Sequence, residues 1–136
     1  MSAYPRVHYT IPMSLSGVCP ISLTPFTEEG DVDLWGIDSL AGLYLDSGVH
    51  GLTILGIMGE AHKLSDAERR VVTRRYVSAV GGGVPVVVGC SAMATRVTVE
   101  RAREAEAAGA AAVMVAPPNS PPRPGPFLLL PRDNVA

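Results

Sequence analysis

Four short apolar runs, separated by three stretches of helical spacing, leave this chain few ways to fold. The runs are Gly17 to Leu23, Gly51 to Leu55, Pro85 to Gly89 and Ala112 to Ala116. Each is too short for an ordinary helix, and most are rich in Val, Ile or Leu, as strands buried on both faces are. Between them Leu34, Ile37, Ala41, Tyr44 and Leu45 recur at helical spacing, as do Val72, Tyr76 and Val80, and then Val99, Ala102 and Ala105. A strand, a helix and a second strand in one sheet require a crossover, and a crossover makes the strands parallel. The pattern predicts an α/β unit of order β-α-β-α-β-α-β. Pro20 counts against regular pairing in the first run, because it brings no N–H to a ladder.

Punctuation supports these boundaries. Asp31 or Asp33 can cap the first helix, and Ser47-Gly48 can close it with a left-handed glycine. Ser65-Asp66-Ala67-Glu68 has the spacing of a capping box for the second helix. Arg69, Arg70, Arg74 and Arg75 on that helix read as its solvated face. Thr95 is the candidate cap of the third helix, on which Arg101, Glu104 and Glu106 face outward, and Gly109 ends it. Gly81-Gly82-Gly83 resembles a phosphate loop, but it follows a helix and precedes a strand. Ligands of parallel α/β folds gather at the opposite, C-terminal ends of the strands.

At that end the second run breaks into Gly56-Ile57-Met58-Gly59-Glu60. The two glycines allow close backbone approach, so the loop can turn free N–H groups toward a small anion. Cys90-Ser91-Ala92-Met93-Ala94 forms a second loop on the same face. A small-molecule site is expected here.

Composition removes other functions. The 136 residues suffice for one domain or part of one, and 47% hydrophobic with 18% charged residues is a globular balance. A net charge of -2 argues against a general nucleic-acid role. No run approaches the roughly 18 to 20 apolar residues that span a bilayer. Met1 to Ser16, an irregular arm with Pro5 and Pro12, lacks the apolar core of a signal peptide. Cys19 and Cys90 are far apart with no C-x-x-C spacing, which predicts reduced thiols in a cytoplasmic protein. His8, His50 and His62 share no metal-ligand spacing, so neither a metal nor another cofactor is expected. Partners reduce to a small molecule or a second copy. Only one of the 11 basic residues, Lys63, is a lysine.

After Ala116 the character changes. Pro117 to Pro126 is dense in proline and reads as coil, and Phe127-Leu128-Leu129-Leu130 has nothing downstream to pack on. The chain thus divides into an arm (1–16), an α/β unit (17–116) and a Pro-rich irregular tail (117–136). The break at Pro117 reads as a truncation or frameshift.

The ordered phrases resemble the dihydrodipicolinate synthase / N-acetylneuraminate lyase family. They run from Gly17-Val18 to Thr24-Pro25-Phe26, through Asp33 and Ser47-Gly48-Val49-His50-Gly51, to Gly56-Ile57-Met58-Gly59-Glu60 and Leu64-Ser65-Asp66-Ala67-Glu68-Arg69. Pro85-Val86-Val87-Val88-Gly89, Ala102-Arg103-Glu104-Ala105 and Gly109-Ala110 to Pro117 complete them. The resemblance spans about residues 17–118 and implies the first half of a (β/α)8 TIM barrel, usually a homo-oligomer. It implies class I aldolase or lyase chemistry, in which a lysine forms a Schiff base with pyruvate or another 2-oxo acid. It assigns Gly56, Ile57, Met58 and Gly59 to the substrate carboxylate, and makes Glu60 a brace of the loop.

Departures accompany it. Ile57 and Met58 stand where the family has hydroxyl side chains, which suggests a different acid substrate or other chemistry. Pro118 and Asn119 stand where a tyrosine pair is usual. The strand-five tyrosine and strand-six lysine have no counterpart in these residues, and Lys63 reads as solvated surface. No catalytic residue is therefore assigned, and the chain alone is expected to be inactive. The alternative is a non-catalytic barrel remnant or interaction module. A flavodoxin-like or Rossmann nucleotide binder is disfavoured, since no G-x-G-x-x-G follows the first run.

Overall fold

Three of the apolar runs form the parallel strands that the crossover pattern requires. The computed structural model describes residues 15–116 and 128–131. Strands β1 (Leu52–Ile54), β2 (Val86–Gly89) and β3 (Ala112–Val115) lie side by side, with helices α1 (Leu34–Asp46), α2 (Asp66–Val80) and α3 (Thr95–Ala107) between and around them. Leu52 pairs with Val86 and Val87 with Ala112, both in parallel register. Leu52, Ile54, Val86, Val88 and Val113 share one core with Ile37 and Ala41 of α1, Val72, Tyr76 and Val80 of α2, and Ala102 and Ala105 of α3. These positions follow the helical spacing read in the sequence, of which Tyr44, Leu45 and Val99 are only partly buried and Leu34, at the start of α1, is exposed. Thr53 and Val87, which point the other way along their strands, are also buried.

Local chemistry sets the helix ends. Asp33, rather than Asp31, caps α1, its carboxylate accepting the N–H of Gly36 at 3.0 Å. Gly48 leaves that helix in the left-handed region at φ 72°. Ser65 and Glu68 form the reciprocal capping box of α2, and Gly81 closes it at φ 57° in the helix-to-strand turn. Thr95 does not cap α3. It is the first helical residue, the cap position is Ala94, and no side chain serves the first-turn N–H groups there.

The first apolar run does not become a regular strand. Ser22 N donates to Thr53 O at 2.7 Å and Thr53 N to Pro20 O at 2.9 Å, which makes one parallel bridge between Ile21 and Thr53. Continuing that ladder backward needs a donor at position 20, and proline has none. The segment therefore flanks β1 without pairing along its length.

The tail also departs from expectation. Leu128–Pro131 forms β4, antiparallel to β3, with Val115 opposite Leu128 and Ala112 opposite Pro131. An exposed strand edge offers a row of unsatisfied backbone groups, and a four-residue extended stretch can take them whatever follows it. The arm up to residue 14 and the remainder of the tail, with Pro118 and Asn119, lie outside the described residues.

Candidate binding site

β1 ends in a residue of unusual conformation. Leu55 is left-handed at φ 55° although its side chain is buried in the core. That conformation costs a non-glycine residue roughly 1–2 kcal/mol, and burial of the leucine side chain offsets it. The turn throws the Leu55–Gly56 peptide across the end of β2, where it lies against Gly89. A Cβ on Gly89 would overlap the Leu55 carbonyl, and one on Gly56 would come within 2.9 Å of Ile21.

From there Gly56, Ile57, Met58 and Gly59 arch over the C-terminal end of the sheet. Glu60 N returns to Ile57 O at 3.0 Å and Ala61 N to Gly56 O at 3.4 Å. Glu60 is itself left-handed at φ 52° and starts the short 3-10 turn Ala61–Lys63. Among the described residues, the N–H groups of Gly56, Ile57, Met58 and Gly59 donate to no protein acceptor. The side chains of Ile57 and Met58 point outward, 82% and 60% exposed. Four successive uncommitted donors at the end of a parallel strand can serve an anion.

Two buried side chains that sequence reasoning did not assign to the loop hold carbonyls in it and beside it. Thr24 Oγ1 donates to Gly59 O at 2.7 Å. Arg69, expected on the solvated face of α2, is 5% exposed. It reaches under the loop to donate to Gly89 O at 2.5 Å and Ala61 O at 3.2 Å. Burial lowers its pKa, and the nearby Arg101 lowers it further. The helical wheel agrees with this, since Arg69 stands three residues before Val72 and seven before Tyr76 on the buried stripe of α2, and the arginines at Arg70, Arg74 and Arg75 obscured it. The capping box was a second signal: it fixes the first turn of α2 beside the loop, so an arginine there is within reach of it.

A third buried link sits behind these. Tyr76 donates to Leu23 O and accepts from Ser22 Oγ, both at 2.7 Å. Burial pushes the Tyr76 hydroxyl up to about 12, although the Ser22 bond works against the shift. Glu60, assigned as a brace, holds Lys63 Nζ at 2.9 Å, and both side chains are about half-exposed. His50 Nδ1 accepts from Val18 N at 3.1 Å. Cys19 and Cys90 are free thiols, and burial pushes Cys90 up to about 11 despite Arg69 and Arg101 nearby.

Beside the loop runs a groove of about 750 Å³. It is lined by Leu55, Gly56 and Ile57, by Ala61, His62 and Leu64, by Ser91 to Ala94 and Val97, and by Met114 and Ala116, together with Arg69 and Arg101. The Cys90–Ala94 loop thus meets the glycine loop on one face, as the strand order predicts. Among the described residues no helix is long and apolar enough to cross a membrane.

Three parallel strands with helical crossovers, superposing on barrel proteins of known structure, define the chain as a portion of a (β/α)8 barrel fold. Its residues 14–121 match the dihydrodipicolinate synthetase family. The chain belongs to that family. A 4-hydroxy-tetrahydrodipicolinate synthase from Sorangium cellulosum is 43% identical over 107 residues, covering 78% of this chain and 36% of the relative. The dihydrodipicolinate synthase of Rhodopseudomonas palustris superposes with a TM-score of 0.70 at 42% identity, over 74% of this chain and 33% of that one. YagE of Escherichia coli K12, a prophage protein of the same family solved in complex with pyruvate, gives a TM-score of 0.75 at 32% identity, over 80% of this chain and 37% of that one. The chain spans about a third of the length of the relatives it matches.

Proposed function

We propose that the Gly56–Gly59 loop holds the carboxylate of a 2-oxo acid for a lyase or aldolase of the dihydrodipicolinate synthase type. In the whole family fold a lysine Schiff base would then make or break the carbon–carbon bond beside the ketone. One observation carries this: four consecutive backbone donors stay uncommitted while Thr24 and Arg69 hold the adjoining carbonyls at Gly59 and Ala61. Docking the carboxylate fixes where the ketone lies, which is what a bimolecular capture by an amine needs most. Ile57 and Met58 supply peptide N–H groups but no side-chain hydroxyl, so the grip depends on the backbone alone. Glu60 acts through its left-handed backbone, which closes the loop.

Lys63 is tied to Glu60, and it is the only lysine in the 136 residues. The expected chemistry of these residues is therefore binding without covalent capture. The free thiols fit a cytoplasmic setting, and further copies of the chain are the natural macromolecular partners in this family. Titration of the isotope-labelled chain with pyruvate, followed by borohydride reduction, tests the proposal. The amides of residues 56–59 should shift, and no covalent adduct should form. Amides that stay still would remove the carboxylate role, and an adduct on Lys63 would overturn the non-covalent one.

A further inference from the structure

We propose that the acid taken by this loop carries an apolar substituent beyond its ketone, and that the adjoining groove receives that substituent. The inference rests on the carboxylate role of the loop and goes on to name the substrate class. Pyruvate, with only a methyl group beside its ketone, would cover little of this open groove. The groove is continuous with the loop, since Leu55, Gly56 and Ile57 form one of its walls. Leu64, Met93, Val97 and Met114 form much of the rest.

Of the polar side chains that line it, Arg69, Arg101 and Ser91 are engaged within the protein, and the exposed His62 also lines it. Arg69 serves the Gly89 and Ala61 carbonyls, and Arg101 holds Asp66 and the Ser91 carbonyl. The Ser91 hydroxyl accepts from Ala116 N at 2.8 Å. Few side-chain donors or acceptors are left to reward a hydroxyl or an amide on the substituent. No Asp or Glu is among the described residues that line the groove, so an ammonium finds no counter-charge there.

The apolar walls gain by being covered. Met93 is 74% exposed and Ile57 82% exposed. A substituent lying between them removes their surface and its own from water. Methionine suits such a wall, because its thioether adjusts to the shape it meets.

The test is a binding series on the 136-residue chain with pyruvate, 2-oxobutyrate, 4-methyl-2-oxovalerate and 2-oxoglutarate, read from the amides of residues 56–59. Affinity should rise roughly fourfold per methylene buried, and 2-oxoglutarate should bind no better than pyruvate. Met93→Asp, at an exposed position, should reduce the affinity for 4-methyl-2-oxovalerate by about tenfold, as should Val97→Asp. Equal affinity for pyruvate and the longer acids overturns the groove assignment and leaves the loop's role intact. So does a preference that both variants retain. If no acid moves the loop amides, both proposals fall together.

Discussion

The carbonyl of Leu55 lies directly against the α-carbon of Gly89, and the carbonyl of Gly89 is in turn held by Arg69. The Gly56–Gly59 loop and the end of β2 are thereby locked together through one residue that has no side chain.

Gly89→Ala should therefore destabilise the fold more than an ordinary strand substitution. Its methyl would overlap a backbone carbonyl, which cannot rotate away as a side chain can. A loss of about 3 kcal/mol in urea unfolding is expected, at the upper end of overpacking costs. A variant as stable as the parent would mean that the loop can lift off β2 at little cost.

Thr24→Val keeps the shape of the side chain and removes the donor to Gly59 O. Leaving that buried carbonyl unpaired should cost about 1–3 kcal/mol. Amide exchange at residues 57–59 should quicken more than exchange in α3, because the bond acts on the loop. Uniform acceleration across the chain would instead mean that Thr24 serves the fold generally.

Arg69→Met exchanges a buried cation for an apolar side chain of similar reach. It removes the donors to Gly89 and Ala61 and also the desolvation cost of the charge. Global stability should change by less than about 2 kcal/mol, while affinity of the loop for a carboxylate falls by about tenfold. Unchanged affinity would show that the loop keeps its shape without the arginine.

Alkaline conditions should weaken the fold over a defined window. Cys90 titrates at about 11 and Tyr76 at about 12 in the folded chain, both raised mainly by burial. The unfolded thiol and phenol ionise near about 8.5 and 10. Their contribution is complete below those unfolded values and is lost as pH rises through the folded ones. Urea midpoints should thus fall from about pH 8.5 upward, and Cys90→Ala should flatten the first part of the fall. A thiol reagent at neutral pH should label Cys19 well before Cys90, which is fully buried.

Elements whose signals were local were legible in the sequence. Asp33, Ser65, Glu68, Gly48 and Gly81 act through neighbours a few residues away, and each does in the fold what its position suggested. The apolar runs at Leu52, Val86 and Ala112 found their strands for the same reason. What was not legible depends on distant pairing. Thr24 meets Gly59 across 35 positions, Tyr76 meets Leu23 across 53, and Arg69 meets Gly89 across 20. No spacing rule connects such residues, and an arginine beside three others on a helix looks solvated until the sheet is placed beneath it. Thr95 failed as a cap because α3 begins one residue too early for its hydroxyl to serve. The loop itself was found from its glycines, and the side chains that hold it were not.

β4 has a consequence for assembly. A strand edge carries one row of donors and acceptors, and on β3 the antiparallel Leu128–Pro131 segment occupies that row. The barrel of the family is all-parallel, so its next strand would claim the same row from the same side. The two arrangements exclude each other at that edge: a parallel strand can join β3 there only after this segment has been released.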